Sequence, residues 1–545
     1  MKRVLLTSSL IMLLSFVYAQ RKNINSLSRI MSHIEYLASD SLEGRRTGTR
    51  GEALAAQYIE DQFKQRSLQF YPGLSSYLQP FDFPDGHMVS DRSNFIINGS
   101  KFSYGKDYYA LSFSAHQFNS IEEVYPSLKE PSHTWTIDIT DLLEKTAQNP
   151  HGDLINELRI ISQNLASKGA SGILFYSTGQ KQYFPEIPKK FSETLGIPVF
   201  MMSTNDQILT SVNQTTPLKL IIDFQLEKKL RKASNVIGFL NNHQKETVVI
   251  GAHFDHLGYG EDGNSMLRNV VNQIHNGADD NASGTSTMLE LASMLKQKKY
   301  RHYNYIFIAF SAEELGLLGS RYFTDHHDQK KIPIKYMINL DMVGRLNDTS
   351  KTLTIGGYGT TKDWSAIFSK SNKTDLKFKF DSSGTGPSDH TSFYRKDIPV
   401  LFYFTGLHTD YHKPTDDAGL INVNGIKLII DHIGFVVSAS KDYALPFSKT
   451  REQQSTTNTR FSVSLGIMPD YSFSGTGVRV DGVSEGKIAQ QVGIQPSDIL
   501  IKVGDVEITS VESYMKALSK FKKGDTTVVQ YQRGAQNLQS QITFK

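Results

Sequence analysis

The 545-residue sequence predicts an α/β fold with a parallel β-sheet in its main domain. Three apolar, β-rich runs, 247–253, 305–310 and 336–340, alternate with stretches of helical spacing. Such alternation is typical of βαβ units. Each run is followed closely by histidine or acidic residues, and open α/β sheets bind ligands at the carboxyl ends of their strands. These strand ends therefore predict the position of the functional site.

Adjacent carboxylates follow the strand-like runs at two places, Asp279-Asp280 and Glu313-Glu314. Two like charges a few Å apart are unfavourable unless a cation offsets them. Zinc is such a cation, and it accepts histidine nitrogen and carboxylate oxygen as ligands. A single histidine at a strand end is more often structural, but the two acidic pairs together favour a metal site.

Six short motifs carry a resemblance to a known family. In chain order they are His253-x-Asp255, 277–284 (GADDNASG), 312–316 (AEELG), 339–344 (NLDMVG), 388–393 (SDHTSF) and 411–416 (YHKPTD). Their content and order resemble the two-zinc aminopeptidases, within the zinc exopeptidases that also include the glutamate carboxypeptidases. The resemblance implies a mixed, mainly parallel sheet flanked by helices and two zinc ions per chain.

The resemblance also implies a ligand set. By it, His253 and Asp341 bind one zinc ion, Glu314 and His412 bind the other, and Asp279 bridges the two. All five positions hold the expected residue types, so the sequence does not resemble that of a relative that has lost its metals.

Three further residues receive roles. Glu313 matches the family's general base, which is not itself a ligand. Asp255 is expected to orient His253, because ligating histidines usually donate their second N–H to a carboxylate or carbonyl. Tyr411 matches a position whose hydroxyl assists the oxyanion in some relatives.

The predicted function is therefore an exported zinc aminopeptidase that hydrolyses N-terminal residues from peptides. A carboxypeptidase of the glutamate carboxypeptidase type is an alternative, since Arg268 or Arg345 could hold a substrate carboxylate. A non-enzymatic peptide-binding relative would be expected to lose ligands. Glutaminyl cyclases share the fold but use a single zinc, so the full ligand set argues against them.

Composition supports a folded, exported protein. Hydrophobic residues make up 39%, charged residues 21%, and the formal net charge is +4, a balance that gives no reason to expect nucleic-acid binding. Residues 1–19 have the basic start, apolar run and small final residues of a signal peptide cleaved after Ala19. No later stretch is long and apolar enough to predict a membrane span. The absence of cysteine excludes disulfides and thiolate ligands. The exported compartment could be periplasmic, cell-surface or extracellular.

The remaining sequence predicts four segments around the motifs. Residues 20–80 are the N-terminal part of the catalytic domain, and 81–230 form a β-rich insertion that resembles a protease-associated domain. The catalytic domain resumes over 231–447, and a Ser/Thr/Gln-rich linker covers 448–460. In the first segment, Arg45 lies in a turn-rich stretch and is interpreted as a solvated loop charge. The insertion is expected to act as a lid or as a passive packing domain.

Residues 461–545 resemble a PDZ domain of the type appended to secreted proteases. The stretch Leu465-Gly466-Ile467-Met468 matches its carboxylate-binding loop. A PDZ domain binds a peptide by adding it as a strand at a sheet edge. The expected partner is a C-terminal peptide or protein, and docking within the same chain is the alternative.

Overall fold

The computed structural model describes residues 26–126, 128–148, 154–179, 195–203, 217–262, 264–267, 273–371, 374–450, 463–469, 476–483, 486–509, 511–534 and 536–544. The predicted signal peptide, most of the predicted linker, and Arg268 lie outside these residues. The chain divides into two compact units. One is Asp82–Arg231, and the other combines Met1–Phe81 with Lys232–Lys545.

The N-terminal part begins with two helices. Helix α1 covers 26–37 and helix α2 covers Arg50–Gln65, with a 3-10 turn at Asp40–Arg45 between them and the short strand β1 at Gln69–Phe70 after them. Ile30, Ile34 and Leu37 of α1 are fully buried, and their spacing of three and four residues places them on one helix face. Both helices therefore follow from their apolar periodicity.

The unit Asp82–Arg231 is rich in strands. Its elements, including the two strands that cross its edges, are β2 (Leu78–Val89), β3 (Asn94–Ile97), β4 (Ser100–Phe102), β5 (Tyr108–Ala110), β6 (Gln117–Val124), β7 (Thr134–Asp138), α3 (Thr140–Gln148), α4 (Leu154–Ser167), β8 (Gly172–Tyr176), β9 (Val199–Met202) and β10 (Leu218–Leu240). Strands β3 and β6 pair antiparallel with the first part of β10, while β5, β9, β8 and β7 form a separate four-stranded sheet. The edges of this unit lie one residue from those of the predicted insertion.

The other unit contains the sheet that positions the candidate site. Its further strands are β11 (Thr247–His253), β12 (Asn304–Phe310), β13 (Ile334–Leu340), β14 (Thr352–Gly356), β15 (Lys377–Phe380) and β16 (Val400–Phe404). They lie in the order β15-β14-β16-β13-β11-β12-β10. The four central strands β16, β13, β11 and β12 are parallel, whereas β10 pairs antiparallel with β12 and β14 pairs antiparallel with β16. Strand β15 pairs parallel with β14. The predicted α/β class with a mixed, mainly parallel sheet is confirmed.

Every residue of β11, β12 and β16 is buried, which explains why these strands are continuous apolar runs rather than alternating ones. The helices of this unit are α5 (Gly284–Met294), α6 (Leu318–His326), α7 (Asp363–Phe368), α8 (His390–Tyr394) and α9 (Val423–Ser440). Short helical turns occupy Ala278–Ser283, Lys298–Tyr300, Tyr358–Thr360 and Ala418–Leu420. Among the described residues, only α9 is long and apolar enough to cross a membrane, and 56% of it is buried inside the protein, as in a core helix.

The C-terminal region has a small β-rich fold with its own core. Its elements are β17 (Ile467–Pro469), β18 (Val478–Val483), α10 (Ile488–Gln491), β19 (Ile499–Val503), β20 (Val506–Glu507), α11 (Val511–Leu518), β21 (Thr526–Arg533) and β22 (Gln536–Thr543). The core cluster draws only on residues between Val463 and Phe544. Gly466 has a φ of +76°, a backbone conformation that favours glycine. The carbonyl of Leu465 accepts the amide of Ala489.

Candidate metal centre

Parallel strands bring the candidate ligands to one edge of the sheet. His253 is the last residue of β11, Asp341 directly follows β13, and Glu314 comes four residues after β12. Because β13, β11 and β12 are parallel neighbours, their carboxyl ends lie side by side. The strand pairing therefore assembles residues that are far apart in the sequence.

The first group of donor atoms consists of His253, Asp280 and Asp341. Nε2 of His253 lies 3.3 Å from Oδ1 of Asp280 and 3.4 Å from Oδ1 of Asp341. The other oxygen of Asp341 accepts a hydrogen bond of 2.7 Å from Ser388. This places three candidate ligand atoms around one point.

The second group uses the other oxygen of the same aspartate. Nε2 of His412 lies 3.2 Å from Oδ2 of Asp280 and 3.4 Å from Oε2 of Glu314. Nδ1 of His256 lies 2.9 Å from Oε1 of Glu314 and 3.8 Å from Oδ2 of Asp280. The other ring nitrogen of His412, Nδ1, is within hydrogen-bond distance of the Asn264 carbonyl at 3.0 Å, which fixes the orientation of the ring. His256 is therefore a second histidine in a group for which the sequence predicted His412 as the only histidine.

Asp280, and not Asp279, faces both groups of donors, so the structure contradicts the assignment of Asp279 to that shared position. Oδ1 of Asp279 accepts the Gly344 amide at 2.6 Å and the Ser283 hydroxyl at 2.9 Å. Its Oδ2 lies 3.2 Å from His408. The backbone leaves helical geometry at Asp280, with φ −106° and ψ 88°, so the two adjacent side chains point in different directions. Both are acidic and buried, so the sequence motif alone did not distinguish them.

The Asp255 carboxylate contacts the loop that carries Glu313 and Glu314 more closely than it contacts His253. Its Oδ1 accepts the Glu313 amide at 3.1 Å, and its Oδ2 accepts the Glu314 amide at 3.4 Å and the Thr47 hydroxyl at 2.9 Å. Nδ1 of His253 is 3.1 Å from the backbone carbonyl of Asp255 and 3.8 Å from its carboxylate. The orienting contact on His253 thus comes from the main chain, and the carboxylate fixes the loop that carries the two glutamates.

A cavity of about 310 Å³ opens beside both groups. Glu313 and Tyr411 line it, and the ring of Tyr411 stacks on His412 with centroids 3.9 Å apart. The opposite lining is apolar and consists of Leu317, Met342, Pro387, Phe402, Phe404 and Leu407. Glu313 and Tyr411 are therefore in reach of anything bound in the cavity.

The electrostatics of the cluster favour added positive charge. Burial opposes a charged imidazole, yet Glu314 and Asp280 outweigh it and raise the pKa of His412 to about 10. Burial alone would raise the pKa of Glu314, but His412 lowers that pKa to about 2. Burial, reinforced by Glu314, Asp389 and Asp341 against the effect of His253, holds the pKa of Glu313 well above its usual value. Protons on the histidines here balance buried carboxylates, a task that a metal ion can take over.

The donor set fits zinc. Carboxylate oxygen and imidazole nitrogen are the ligand types that zinc takes. Within the described residues, Asp280, Glu314 and Asp341 form ion pairs with histidines and with no lysine or arginine. Among the residues that the structure describes, the buried Nε2 of His256 has no hydrogen-bond partner, while its Nδ1 faces Glu314. A cation between these side chains would offset carboxylate charge that no lysine or arginine in the described part of the chain pairs with.

Two arginines differ from their sequence interpretation. Arg45 is 1% exposed, so its interpretation as a solvated loop charge is wrong, and its guanidinium donates to four backbone carbonyls. One terminal nitrogen of Arg345 donates to Asp410 at 2.8 Å, and the other lies 4.0 Å from Asp416 without a hydrogen-bond partner among the described residues. His390 is buried with its ring stacked on Phe402 at 4.6 Å.

Comparison with known proteins identifies two family matches. The model for peptidase family M28 matches residues 235–437, and the model for a PDZ domain matches residues 433–544. The first of these ranges contains every candidate ligand, and the second contains the predicted carboxylate-binding loop.

Individual proteins are similar to parts of the chain. Aminopeptidase YwaD of Bacillus subtilis is 26% identical over 398 residues, which cover 69% of this chain and 77% of that protein. Leucine aminopeptidase 1 of Neurospora crassa is 30% identical over 198 residues, covering 34% of this chain and 47% of the relative. The chain thus spans less than half of this fungal protein. The solved structure of BSAP, a zinc aminopeptidase from Bacillus subtilis, is 20% identical with a TM-score of 0.43, covering 77% of this chain and 97% of that one.

Proposed function

Since the chain is a metallo-aminopeptidase of peptidase family M28 with a C-terminal PDZ domain, we propose that it is exported and uses two zinc ions and Glu313 to release N-terminal residues from peptides. The observation that carries the proposal is the carboxylate of Asp280. Its two oxygens face two different groups of donors, with Oδ2 at 3.2 Å from His412 and Oδ1 at 3.3 Å from His253. A carboxylate shared in this way suits a pair of metal ions.

The chain supplies a ligand set for each ion. His253 and Asp341 would hold one zinc, Glu314 and His412 the other, and Asp280 both, with His256 as a further donor facing Glu314. Zinc bound there would supply the chemistry of metal-assisted hydrolysis, namely a more acidic water and a polarised scissile carbonyl. Ser388, Asn264 and the Asp255 backbone carbonyl orient three of the ligands, and such outer contacts tune metal affinity.

Glu313 is the general base in this proposal. It lines the cavity next to the ligand Glu314 without belonging to either donor group. Its carboxylate takes a proton from the attacking water and later gives it to the leaving amine. Asp255 supports this role, since it accepts the Glu313 amide at 3.1 Å and thereby fixes the loop. Tyr411 lines the same cavity, and its hydroxyl would donate a hydrogen bond to the developing oxyanion.

The charge of the cavity favours a substrate ammonium over a substrate carboxylate. The ionisable residues that line it are acids, histidines and one tyrosine. Arg345, which a carboxypeptidase could use, is paired with Asp410 at 2.8 Å. Complementary charge selects between such ligands, so the aminopeptidase direction is supported over the carboxypeptidase one.

The apolar wall supports a preference for a large apolar first residue. Met342, Phe402 and Phe404 form a small cluster with Leu407 and Tyr411 packed against it. This wall lies in the same cavity as Glu313 and the ligands, where the side chain of the first substrate residue would bind. Burial of apolar surface contributes roughly 25 cal/mol per Å², so Leu or Phe would bind there better than Ala or Asp.

The PDZ domain and the insertion would have roles outside the metal centre. The PDZ domain would bind a peptide C-terminus at Leu465-Gly466-Ile467-Met468, where Gly466 adopts a φ of +76°. The insertion 82–231 would act as a lid or as a packing domain.

Three measurements on purified full-length protein test the proposal. We expect about two zinc ions per chain, rapid cleavage of leucyl and phenylalanyl amides, and no cleavage of the same amides after N-acetylation. Equal rates on free and acetylated amides would refute an aminopeptidase. One zinc per chain with full activity would refute the paired site and leave the aminopeptidase assignment intact.

A further inference from the structure

Arg45 is a buried guanidinium whose hydrogen bonds, within the described part of the chain, go to main-chain carbonyls. Its Nε donates to the carbonyl of Phe254 at 2.8 Å. One terminal nitrogen donates to Leu37 and, at 2.7 Å, to Asn276, and the other donates to Gly277 at 3.0 Å. The side chain is 1% exposed, and a buried charge of this kind is expensive unless its hydrogen bonds are made.

Three of these four carbonyls belong to the two loops that deliver His253, His256 and Asp280. Phe254 lies between His253 and Asp255 at the end of β11. Asn276 and Gly277 open the acidic turn that leads to Asp280. The planar guanidinium presents its donors in a fixed fork, so one side chain holds the His253 loop and the Asp280 turn at a fixed separation.

The backbone around Arg45 ties the same loops together. The Arg45 carbonyl accepts the His256 amide at 3.2 Å, and the Gly44 carbonyl accepts the Gly258 amide at 3.0 Å. A Cβ on Gly44 would lie 2.6 Å from the carbonyl oxygens of both Gly258 and His275. The N-terminal turn is therefore fitted tightly against both ends of the segment 258–275.

We propose that Arg45 is a positioning residue that sets the spacing of the His253 loop and the Asp280 turn and thereby the zinc affinity of the centre. The inference rests on the proposed zinc function. It assigns a role to a residue that touches neither substrate nor metal.

Electrostatics and positioning predict opposite signs for its removal. A positive charge buried near carboxylates repels an incoming cation, so charge alone predicts tighter zinc binding when Arg45 is replaced by an uncharged residue. Positioning predicts weaker binding, because both loops lose their common hydrogen-bond donor. Positioning outweighs charge here because the guanidinium hydrogen bonds span both ligand-bearing loops, and metal affinity depends on ligand geometry being held in place.

The experiment measures zinc affinity of the zinc-free, full-length protein by competition with a chromogenic chelator. For Arg45→Met we expect affinity for at least one zinc ion to fall about 10–100-fold, the range found when an outer contact of a metal ligand is lost. Arg45→Lys keeps the charge but lacks the fork, and it should also weaken binding. Circular dichroism before zinc addition establishes that each variant is folded.

Arg66→Met is the matched control. Arg66 is also buried, and it also donates to a backbone carbonyl, that of Leu289 at 2.9 Å. Its other hydrogen bonds join it to Ser293, Gln62 and His33, and none of these residues lies in the His253 loop or the Asp280 turn. The substitution should lower thermal stability and leave zinc affinity within a few-fold of wild type.

Zinc affinity of folded Arg45→Met that equals or exceeds wild type would overturn the inference, as would an equal loss in Arg66→Met. If Arg45→Met does not fold, wild-type affinity in Arg45→Lys would overturn it. Failure of the wild-type protein to bind zinc would instead refute the proposed function itself.

Discussion

The substitutions Asp280→Asn and Asp279→Asn distinguish the roles of the two adjacent carboxylates in the acidic turn. Oδ1 of Asp280 faces His253 at 3.3 Å and Oδ2 faces His412 at 3.2 Å. An asparagine has one oxygen and can therefore serve only one of the two groups, while its amide would point N–H bonds at the other. We expect Asp280→Asn to weaken binding at both positions.

The size of the effect follows from how many metal positions each carboxylate serves. Loss of a group that merely orients a metal ligand costs about 10–100-fold in affinity. Removal of a carboxylate that faces both groups should cost at least ~100-fold, or roughly 2.7 kcal/mol. In Asp279→Asn the amide oxygen can still accept from Gly344, and its NH₂ can still reach His408, so the cost should be that of a weakened hydrogen bond, about 1 kcal/mol or less.

Calorimetric zinc titration of the two zinc-free variants and wild type provides the assay, with turnover of leucyl amide measured in parallel. Similar zinc affinities for Asp280→Asn and wild type would refute the bridging role of Asp280. A larger loss in Asp279→Asn than in Asp280→Asn would restore the original assignment of Asp279.

Three other perturbations have defined outcomes. Glu313→Gln should retain zinc by metal analysis and lose about 10²–10⁴ in turnover, whereas Glu314→Gln should lose zinc; normal turnover in zinc-loaded Glu313→Gln would contradict the general base. Truncation after Thr450 should leave turnover of small amides near wild type and reduce binding of long peptides, because the PDZ core uses only residues from Val463 onward; inactivity of a folded, zinc-loaded truncation would contradict this. Burial lowers the pKa of His432 to about 3. The neutral histidine therefore costs no stability above pH ~6.5, and the free energy of unfolding decreases as the pH falls towards 3. The loss is about 2 kcal/mol at pH 5. In zinc-free protein, His432→Gln should therefore show a shallower fall of Tm between pH 6.5 and 5, and parallel curves would exclude this effect.

The sequence predicted the sheet and the ligand-bearing strands because their signals are local. The buried strand Thr247–His253 and its two parallel neighbours are continuous apolar runs, and each leads directly to a histidine or acid. Parallel pairing then leaves one edge where those residues can meet. The expectation needed no knowledge of distant contacts.

The failures concern information that only tertiary contacts provide. Asp279 and Asp280 are chemically identical, and the choice between them depends on the backbone turn at Asp280 and on the Gly344 amide. Arg45 follows a glycine in a turn-rich stretch, a pattern typical of the surface, and its burial is made favourable by tertiary contacts with the carbonyls of Leu37, Phe254, Asn276 and Gly277. His256 was not expected as a donor, although its place one residue after Asp255 at the same strand end was a usable signal.

The crowding of buried carboxylates has a consequence for the amount of folded protein. Asp280, Glu313, Glu314 and Asp341 lie around one cavity, and without a cation their mutual repulsion opposes the folded state. A ligand that binds only the folded protein stabilises it by mass action, so zinc would contribute to folding as well as to turnover. Scarcity of zinc would then shift newly made chains towards unfolding and degradation, and the abundance of the enzyme would follow metal supply even with constant synthesis.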